Sequence, residues 1–387
     1  MGGEIELLID RLDRVIERVN SLPFFQWLVA SPFRISIALT VFTFFWNFPS
    51  YDLVFVRGEV SENWTGFLEQ VNAPFADHTL QYPDASHSAK LGFRFVPALI
   101  CRALNIHTVA GAVVFQTATT FALHALLFTF LGRYFSTRSR GSLACLPFCL
   151  IAGGHPYNLD LWGFFDSLAL TFLLAAMVTR RKALVILFLL LAWFTDERAL
   201  IASPVLLFLE WAPRSASRRA IRTPHHMVWP RYWPYLLAGI LYLVIRLLLG
   251  VSLGLRTAPV AFTYFTSQLP LAFRVLFHGC EGFIIPLCIC CWLWWRSRRI
   301  ALLVLFLISL SLMLATSVAV IDMERSMAYA LPHLLVLVVL LRAEITERMV
   351  GVLLLAVAFI NLFYSDALPF LVQLVRMIFI TRTLFAF

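Results

Sequence analysis

Long apolar runs, broken by short charged connections, recur along nearly the whole chain. A helix crosses about 30 Å of hydrocarbon with about 20 residues, and several of the runs approach that length. The pattern predicts an all-α, polytopic helical membrane protein with about 11 or 12 transmembrane helices, some of them short or broken. The runs lie at 33–48, 95–131 (a short helix, then a span), 142–153, 161–179, 183–194, 199–211, 232–250, 282–295, 300–320, 327–341, 349–364 and 367–381.

Residues 1–22 show a different pattern. Ile5, Leu12 and Val19 recur at helical spacing in a segment that also holds eight charged residues. This spacing predicts an amphipathic helix that lies on the membrane surface or packs on a partner. No linker divides the remainder, so residues 23–387 are interpreted as a single polytopic membrane domain.

The composition excludes a water-soluble globular protein and a disordered chain. Hydrophobic residues make up 60% of the chain and charged residues 14%, whereas soluble domains carry about 25% charged residues. A net charge of +9 would suggest nucleic acid in a soluble protein. In a membrane protein the excess of basic residues in cytoplasmic loops explains it, and no nucleic-acid partner is expected.

The arginine clusters predict a topology. If the N-terminus is cytoplasmic and the runs alternate, the clusters fall on the cytoplasmic side, at 133–140, 180–182, 214–231, 296–299 and 342–348. This arrangement favours a multi-pass protein of the inner (cytoplasmic) membrane, in contact with membrane lipids. The opposite side receives a large extracytoplasmic loop at 49–91 and most of the remaining acidic residues.

Two short apolar arms, 183–194 and 199–211, flank a charged turn that contains Asp196, Glu197 and Arg198. Each arm has only 12 or 13 residues and reaches about 20 Å, too short to span the hydrocarbon alone. A hairpin would hold the turn below the membrane surface, where charges line a polar cavity or pair with one another. A single kinked helix is the alternative, but it would place neighbouring arginine clusters on opposite sides.

A similar charged turn recurs at Asp322 and Arg325, and more weakly at His155 and Asp166. Several such turns on one face suggest a shared water-filled chamber. Arginine there could hold a phosphate through bidentate hydrogen bonds, and carboxylates could act as a general base or as metal ligands. Internal salt bridges are the alternative interpretation.

The first outer loop carries a second group of candidate residues. It could bind a charged headgroup or a sugar, hold a metal ion, or be an ordinary solvated loop. Its carboxylates and its basic and histidine side chains are Asp52, Asp77, Asp84, His87, Lys90 and Arg94. Asp52 follows the first span closely, so it is expected at the membrane interface, where a lipid-borne phosphate meets water.

These features together resemble a known family. The charged loop after the first helix, the His/Asp-bearing turn, the hairpin ending in Asp-Glu-Arg and the Asp-x-x-Arg before Pro332 resemble the C-type superfamily of bacterial integral-membrane glycosyltransferases. The resemblance implies transfer of a sugar from a polyprenyl-phosphate carrier on the extracytoplasmic side, in cell-envelope polysaccharide synthesis.

The resemblance also implies residue roles. An acidic residue of the first outer loop would be the general base, which maps to Asp52, with Asp77 and Asp84 as rivals. The turns 196–198 and 322–325 would bind the donor phosphate. A divalent cation, Mg²⁺ or Mn²⁺, stays open as a cofactor, because the chain has no clear Asp-x-Asp motif.

Two other functional classes fit the same charges. A transporter or flippase of lipid-linked glycan would use them as a substrate path, although no repeated halves are visible in the sequence. A non-catalytic scaffold for an envelope-assembly partner would use the amphipathic N-terminal helix as its docking site.

Overall fold

The computed structural model describes residues 2–47, 62–76, 88–151, 163–210, 232–255, 264–320 and 322–365. These ranges contain helices, turns and short connections but no strand, so the predicted all-α class is confirmed for them. Among these described residues, five segments are long and apolar enough to cross a membrane, which is consistent with a helical multi-pass membrane protein. They are Val109–Leu131, Trp233–Leu253, Phe265–Arg296, Ile300–Val318 and Arg325–Glu344.

The first half of the chain forms eleven of the described α-helices. They are α1 Gly2–Ser21, α2 Pro23–Val29, α3 Pro32–Asn47, α4 Glu62–Asn72, α5 Val96–Ala103, α6 Val109–Leu131, α7 Arg138–Leu143, α8 Leu146–Leu150, α9 Asp166–Val178, α10 Lys182–Trp193 and α11 Arg198–Ala202. Short 3₁₀ helices occupy Ser88–Phe93 and Ser203–Glu210.

The second half forms eight more described α-helices. They are α12 Trp233–Leu253, α13 Phe265–Gln268, α14 Ala272–Cys280, α15 Ile284–Arg296, α16 Ile300–Val318, α17 Met323–Met327, α18 Leu331–Glu344 and α19 Glu347–Ser365. Helix α18 lies at the centre of the bundle, and nearly all of its side chains are buried.

Local sequence explains where several helices begin and end. Proline occupies the first turn of α2, α5, α12 and α18, where its missing N–H is not needed. The side chain of Thr108 accepts a hydrogen bond from the N–H of Gly111 and caps α6. Gly254 ends α12 in the left-handed conformation with φ 68°, as glycine does at many helix ends.

Within the described residues, fewer long apolar helices are present than the sequence predicts for the same ranges. In the described part of the run at 142–153 the helices are the end of α7 and the short helix α8, and the run at 282–295 belongs to a longer segment that begins at Phe265. Helices α2 and α3 would make a sixth span if counted together, but they are bent by 104°. Apolar composition alone does not distinguish a span from a short buried helix.

Direct contacts bring the connections at 133–140, 180–182 and 342–348 to one end of the bundle, named here the arginine-rich end. Arg133, just after α6, donates a hydrogen bond to the carbonyl of Val178 at the end of α9. The hydroxyl of Ser136 donates to Oε1 of Glu347, at the start of α19, over 2.6 Å. Helices α6 and α9 therefore end at the same level, beside the start of α19.

Helices α10 and α12 run parallel, and this direction determines how the chain must connect the end of α10 to the start of α12. Lys182 lies over the ring of Trp233 at their starts, at 5.5 Å, and Glu197 pairs with Arg246 further along, at 2.9 Å. The intervening chain must therefore return to the arginine-rich end. The arms at 182–193 and 198–210 form a hairpin, one of the two arrangements that the sequence leaves open.

Candidate functional site

Three turns far apart in sequence bring their charged side chains together. Asp166 begins α9, Asp196 and Arg198 lie at the tip of the hairpin, and Arg325 lies in α17. These four residues and Arg94 are named here the charged cluster. Their side chains are between 0% and 10% exposed.

Asp166 is the common acceptor of the cluster. Its Oδ1 accepts hydrogen bonds from Nη2 of Arg198 over 3.0 Å and from the hydroxyl of Tyr329 over 2.9 Å. Its Oδ2 accepts from Nε of Arg325 over 2.5 Å. The carboxylate is thus held by two guanidinium groups and a phenol, as a buried charge requires.

Asp196 is held mainly by its own turn. Its Oδ1 accepts from the backbone N–H of Arg198 over 2.9 Å and from Nε of the same residue over 2.8 Å. Nη1 of Arg94 lies 3.0 Å from Oδ2. Arg198, Arg94 and Arg325 thus surround the Asp196 carboxylate with positive charge.

The connection between the first outer loop and α5 brings Arg94 to the hairpin. The N–H of Val96 donates to the carbonyl of Phe194 over 3.3 Å, and the rings of Phe95 and Phe194 stack at 4.9 Å. Nε of Arg94 is buried and has no hydrogen-bond partner among the described residues. One donor of this side chain thus remains open to another acceptor.

The cluster carries more positive than negative charge. Among the described residues, three buried guanidinium groups face two buried carboxylates, a difference of +1 at a site largely withdrawn from water. A third described carboxylate, that of Asp322, lies 3.8 Å from Nη1 of Arg325, and its side chain is 47% exposed. An unbalanced buried positive charge favours binding of an anion.

Backbone strain accompanies the cluster. Phe165, the residue before Asp166, adopts a left-handed conformation with φ 60°, and Gly163 has φ 80°. Such conformations are costly for residues other than glycine and persist only where packing enforces them. The ring of Phe165 packs on Phe67 of α4, with ring centroids 4.4 Å apart. Packing by α4 thus fixes the turn that places Asp166 at the start of α9.

A second ion pair lies beside the cluster on α12, an apolar helix whose side chains are largely exposed. Arg246 of α12 pairs with Glu197 at 2.9 Å, and their side chains are 25% and 30% exposed. Nη1 of Arg246 also donates to the hydroxyl of Tyr242 over 2.6 Å, and its guanidinium lies 4.3 Å from the ring centroid of Phe93. The outward side of α12 is apolar, so this pair marks a partly open edge of the cluster.

The depth of the charged cluster can be measured along the two long helices α6 and α12. The hydroxyls of Ser167 and Thr119 are 2.6 Å apart, and Thr119 lies ten residues, or about 15 Å, inside the end of α6 at Val109. Arg246 lies seven residues, or about 10 Å, inside the end of α12 at Leu253. In a membrane crossed by α6 and α12, the cluster therefore lies below the surface opposite the arginine-rich end.

The structure brings together five of the predicted site residues: Arg94, Asp166, Asp196, Arg198 and Arg325. Glu197 and Asp322 lie at the edges of this group. Lys90 lies in the 3₁₀ helix Ser88–Phe93, and its side chain is outside the described part. Five further predicted site residues lie outside the described residues: Asp52, Asp77, Asp84, His87 and His155.

The two buried carboxylates are fully covered by their partners. Around Asp166 and Asp196 the described residues form internal ion pairs, the alternative that the sequence left open. The predicted water-filled chamber includes the turn at His155, which lies outside the described residues. The partly exposed groups are Glu197, Asp322 and Arg246, at the margins. Within the described residues no group of three histidine, cysteine or acidic side chains could hold a metal ion.

Sequence reasoning missed Arg246, Tyr329 and Ser326 as members of the site. Arg246 carries a signal, because it is a lone arginine inside the apolar run 232–250. Ser326 accepts a hydrogen bond from Nη1 of Arg198 over 3.1 Å, and Tyr329 donates to Asp166. No sequence pattern singles out these two hydroxyls.

Comparisons with protein-family models, with curated proteins and with solved structures give no match for this chain.

Proposed function

We propose that the chain is an integral-membrane glycosyltransferase of about five or more spans, which transfers a sugar from a polyprenyl-phosphate donor to an extracytoplasmic acceptor. The acceptor is a glycan, a lipid or a protein. The observation that carries the proposal is the buried excess of guanidinium charge among Arg94, Arg198 and Arg325. Arginines at membrane depth, beside a lipid-exposed helix, are suited to a phosphate that arrives on a lipid.

In this proposal the donor phosphate approaches along the edge at Arg246 and Glu197. A phosphate oxygen would accept a hydrogen bond from Nε of Arg94, the donor without a partner. Arg325 lies within reach of both carboxylates, with Nη2 3.7 Å from Oδ2 of Asp196. It could exchange part of that contact for the incoming anion. Asp166 and Asp196 then hold the arginines in place and act as positioning residues.

The reaction would be an inverting displacement at the anomeric carbon. A carboxylate of the first outer loop, with Asp52 preferred over Asp77 and Asp84, would take the proton of the acceptor hydroxyl. The hydroxyl oxygen would form the new bond to the sugar as the bond between the anomeric carbon and the phosphate oxygen breaks. The leaving lipid phosphate takes the bonding electron pair, and the arginines stabilise its charge.

The proposal extends to orientation and partners. With positive residues inside, the arginine-rich end faces the cytoplasm of an inner membrane and the charged cluster lies toward the outer leaflet. The lipid carrier is then a polyprenyl phosphate. An envelope-assembly protein is a further proposed partner.

Turnover by the purified full chain in lipid nanodiscs tests the proposal. The assay supplies polyprenyl-phosphate hexoses and pentoses together with a cell-envelope extract as acceptor, and follows release of the polyprenyl phosphate. We expect transfer, reduced at least tenfold by Arg94→Gln and unchanged by Arg274→Gln, which removes an exposed arginine of α14. Movement of intact donor between leaflets without product would support a flippase instead. Absence of both activities, with binding of an envelope protein, would support a scaffold.

A further inference from the structure

Helix α1 separates its charges by sign. Asp10, Asp13 and Glu17 follow one line along the helix, at spacings of three and four residues. Arg11, Arg14 and Arg18 follow a second line, displaced by one residue and therefore rotated by about 100°. A helix with two stripes of opposite charge can bind two different surfaces at once.

The acidic stripe is bound to the bundle. Asp13 lies 3.4 Å from Nη2 of Arg140 and 3.1 Å from Nε of Arg348. Asp10 also pairs with Arg348, and Glu17 lies 3.8 Å from Arg140. All three carboxylates of the acidic stripe thus attach α1 to the bundle.

An apolar contact fixes the height of α1 on the bundle. Ile16 is buried and lines a small pocket with Gly351, Leu354 and Leu355 of α19. These three residues lie four to eight positions after the start of α19 at Glu347, or about 6–12 Å along its axis. Helix α1 therefore lies against the side of α19, level with its first turns, rather than beyond its end.

The basic stripe is on the outward face and is accompanied by exposed apolar residues. Arg11, Arg14 and Arg18 are exposed, and between them Leu7 is 52% and Val15 51% exposed. Positions 7, 11, 14, 15 and 18 share one side of a helix, named here the outward face of α1. Glu4, one turn before Leu7, shares this side of the helix, but no acidic residue does so between Leu7 and Arg18.

The next helix continues this surface. In α2, Phe24 is 72% and Trp27 is 53% exposed, and their rings stack at 6.0 Å. Helix α2 meets α3 at 104°, so it lies across the direction in which α3 enters the bundle. Exposed aromatic side chains at such a position are typical of the membrane interface.

We propose that the outward face of α1 binds the surface of an anionic bilayer. Arg11, Arg14 and Arg18 would contact phospholipid phosphates, and Leu7 and Val15 would enter the layer of acyl chains beneath them. The acidic stripe meanwhile holds α1 against Arg140 and Arg348, so α1 links α19 to the adjacent lipid. The inference is independent of the proposed glycosyl transfer, because it concerns the opposite end of the bundle.

A fluorophore at residue 15 tests the inference in the full-length chain. A non-canonical fluorescent amino acid replaces Val15. The protein is placed in nanodiscs of phosphatidylcholine alone or of phosphatidylcholine with about 30% phosphatidylglycerol, which supplies the anionic headgroups. With phosphatidylglycerol we expect quenching by doxyl groups on the acyl chains and at least threefold weaker quenching by aqueous iodide. In phosphatidylcholine alone, or in high salt, the protection from iodide falls.

Two triple variants that lose the same amount of charge distinguish the effect of the basic stripe from the effect of the total charge of the protein. Replacing Arg11, Arg14 and Arg18 by glutamine should abolish the dependence on phosphatidylglycerol. Replacing Arg102, Arg274 and Arg296, which are exposed elsewhere, should preserve it. Equal quenching by iodide in both lipids, with no doxyl quenching, would overturn the inference and place the outward face in water or against a protein.

Discussion

Asp166 and Arg325 lie 159 positions apart in the chain, yet Nε of Arg325 donates a hydrogen bond to Oδ2 of Asp166 over 2.5 Å. This contact joins the start of α9 to the short helix α17. Arg198 donates to the same carboxylate from the tip of the hairpin. One buried carboxylate thus connects the three charged turns that the sequence singles out.

Removing the Asp166 charge should destabilise the fold severely. Asp166→Asn leaves three guanidinium groups facing one carboxylate, and breaking a buried ion pair costs about 3–5 kcal/mol. Thermal unfolding of the purified protein in detergent measures the loss. Asp322→Asn is the matched control, because its carboxylate is 47% exposed and surface pairs contribute about 1 kcal/mol or less. Similar losses in the two variants would argue against the buried cluster.

A side chain at Gly163 should destabilise the strained turn before Asp166. A Cβ there would lie 3.2 Å from the ring of Trp64, and φ is 80°. We expect Gly163→Ala to lower the free energy of unfolding by about 1–3 kcal/mol. Gly239→Ala in α12 meets nothing within 4 Å and should be neutral or stabilising. A neutral Gly163→Ala would show that the turn is not held as described.

Glu347 should make stability depend on pH in the acid range. Burial would raise the pKa of this carboxyl, but hydrogen bonds from Ser136 and Arg342 lower it below its ordinary value. Its stabilising effect is therefore complete above about pH 4.3, the unfolded value, and is lost as the pH falls through the lower folded value. Unfolding temperatures measured between pH 7 and pH 3 should fall less steeply for Glu347→Gln. Identical slopes for the two proteins would contradict the assignment.

The hairpin predicts which positions share a side of the membrane. Lys182 begins α10, Tyr232 directly precedes the first residue of the parallel helix α12, and Ser252 lies near the far end of α12. In a Cys288→Ser background, which removes the exposed native thiol, Lys182→Cys and Tyr232→Cys should react with an impermeant maleimide from the same side. Ser252→Cys should react from the other side. Labelling of residues 182 and 232 from opposite sides would mean that 198–210 crosses the membrane.

Local sequence features determine much of this architecture. The uniform apolar run after Thr108 predicts α6, and the two half-length arms around Asp196 predict a charged turn inside the bundle. Hydropathy alone does not tell whether two such arms form a hairpin or one kinked helix, because it reports composition and not the direction of the chain. Here the parallel packing of α10 and α12 shows that the chain returns.

The charged cluster could be predicted only in part. Intramembrane charges draw attention to Asp196, Arg198 and Arg325, since their burial requires partners. Which partner each one finds depends on long-range packing. Arg94 reaches Asp196 because Phe95 stacks on Phe194. The left-handed Phe165 depends on packing by α4 and leaves no trace in the local sequence.

Binding of farnesyl phosphate tests the central claim most directly, because farnesol provides the same hydrocarbon chain without the anion. Calorimetry on the full chain in nanodiscs should show saturable binding of farnesyl phosphate and at least tenfold weaker binding of farnesol. Arg94→Gln should reduce the affinity for farnesyl phosphate at least tenfold, and Arg274→Gln should leave it unchanged. Equal affinities for the two ligands, or an unchanged affinity in Arg94→Gln, would contradict an anion site at the charged cluster.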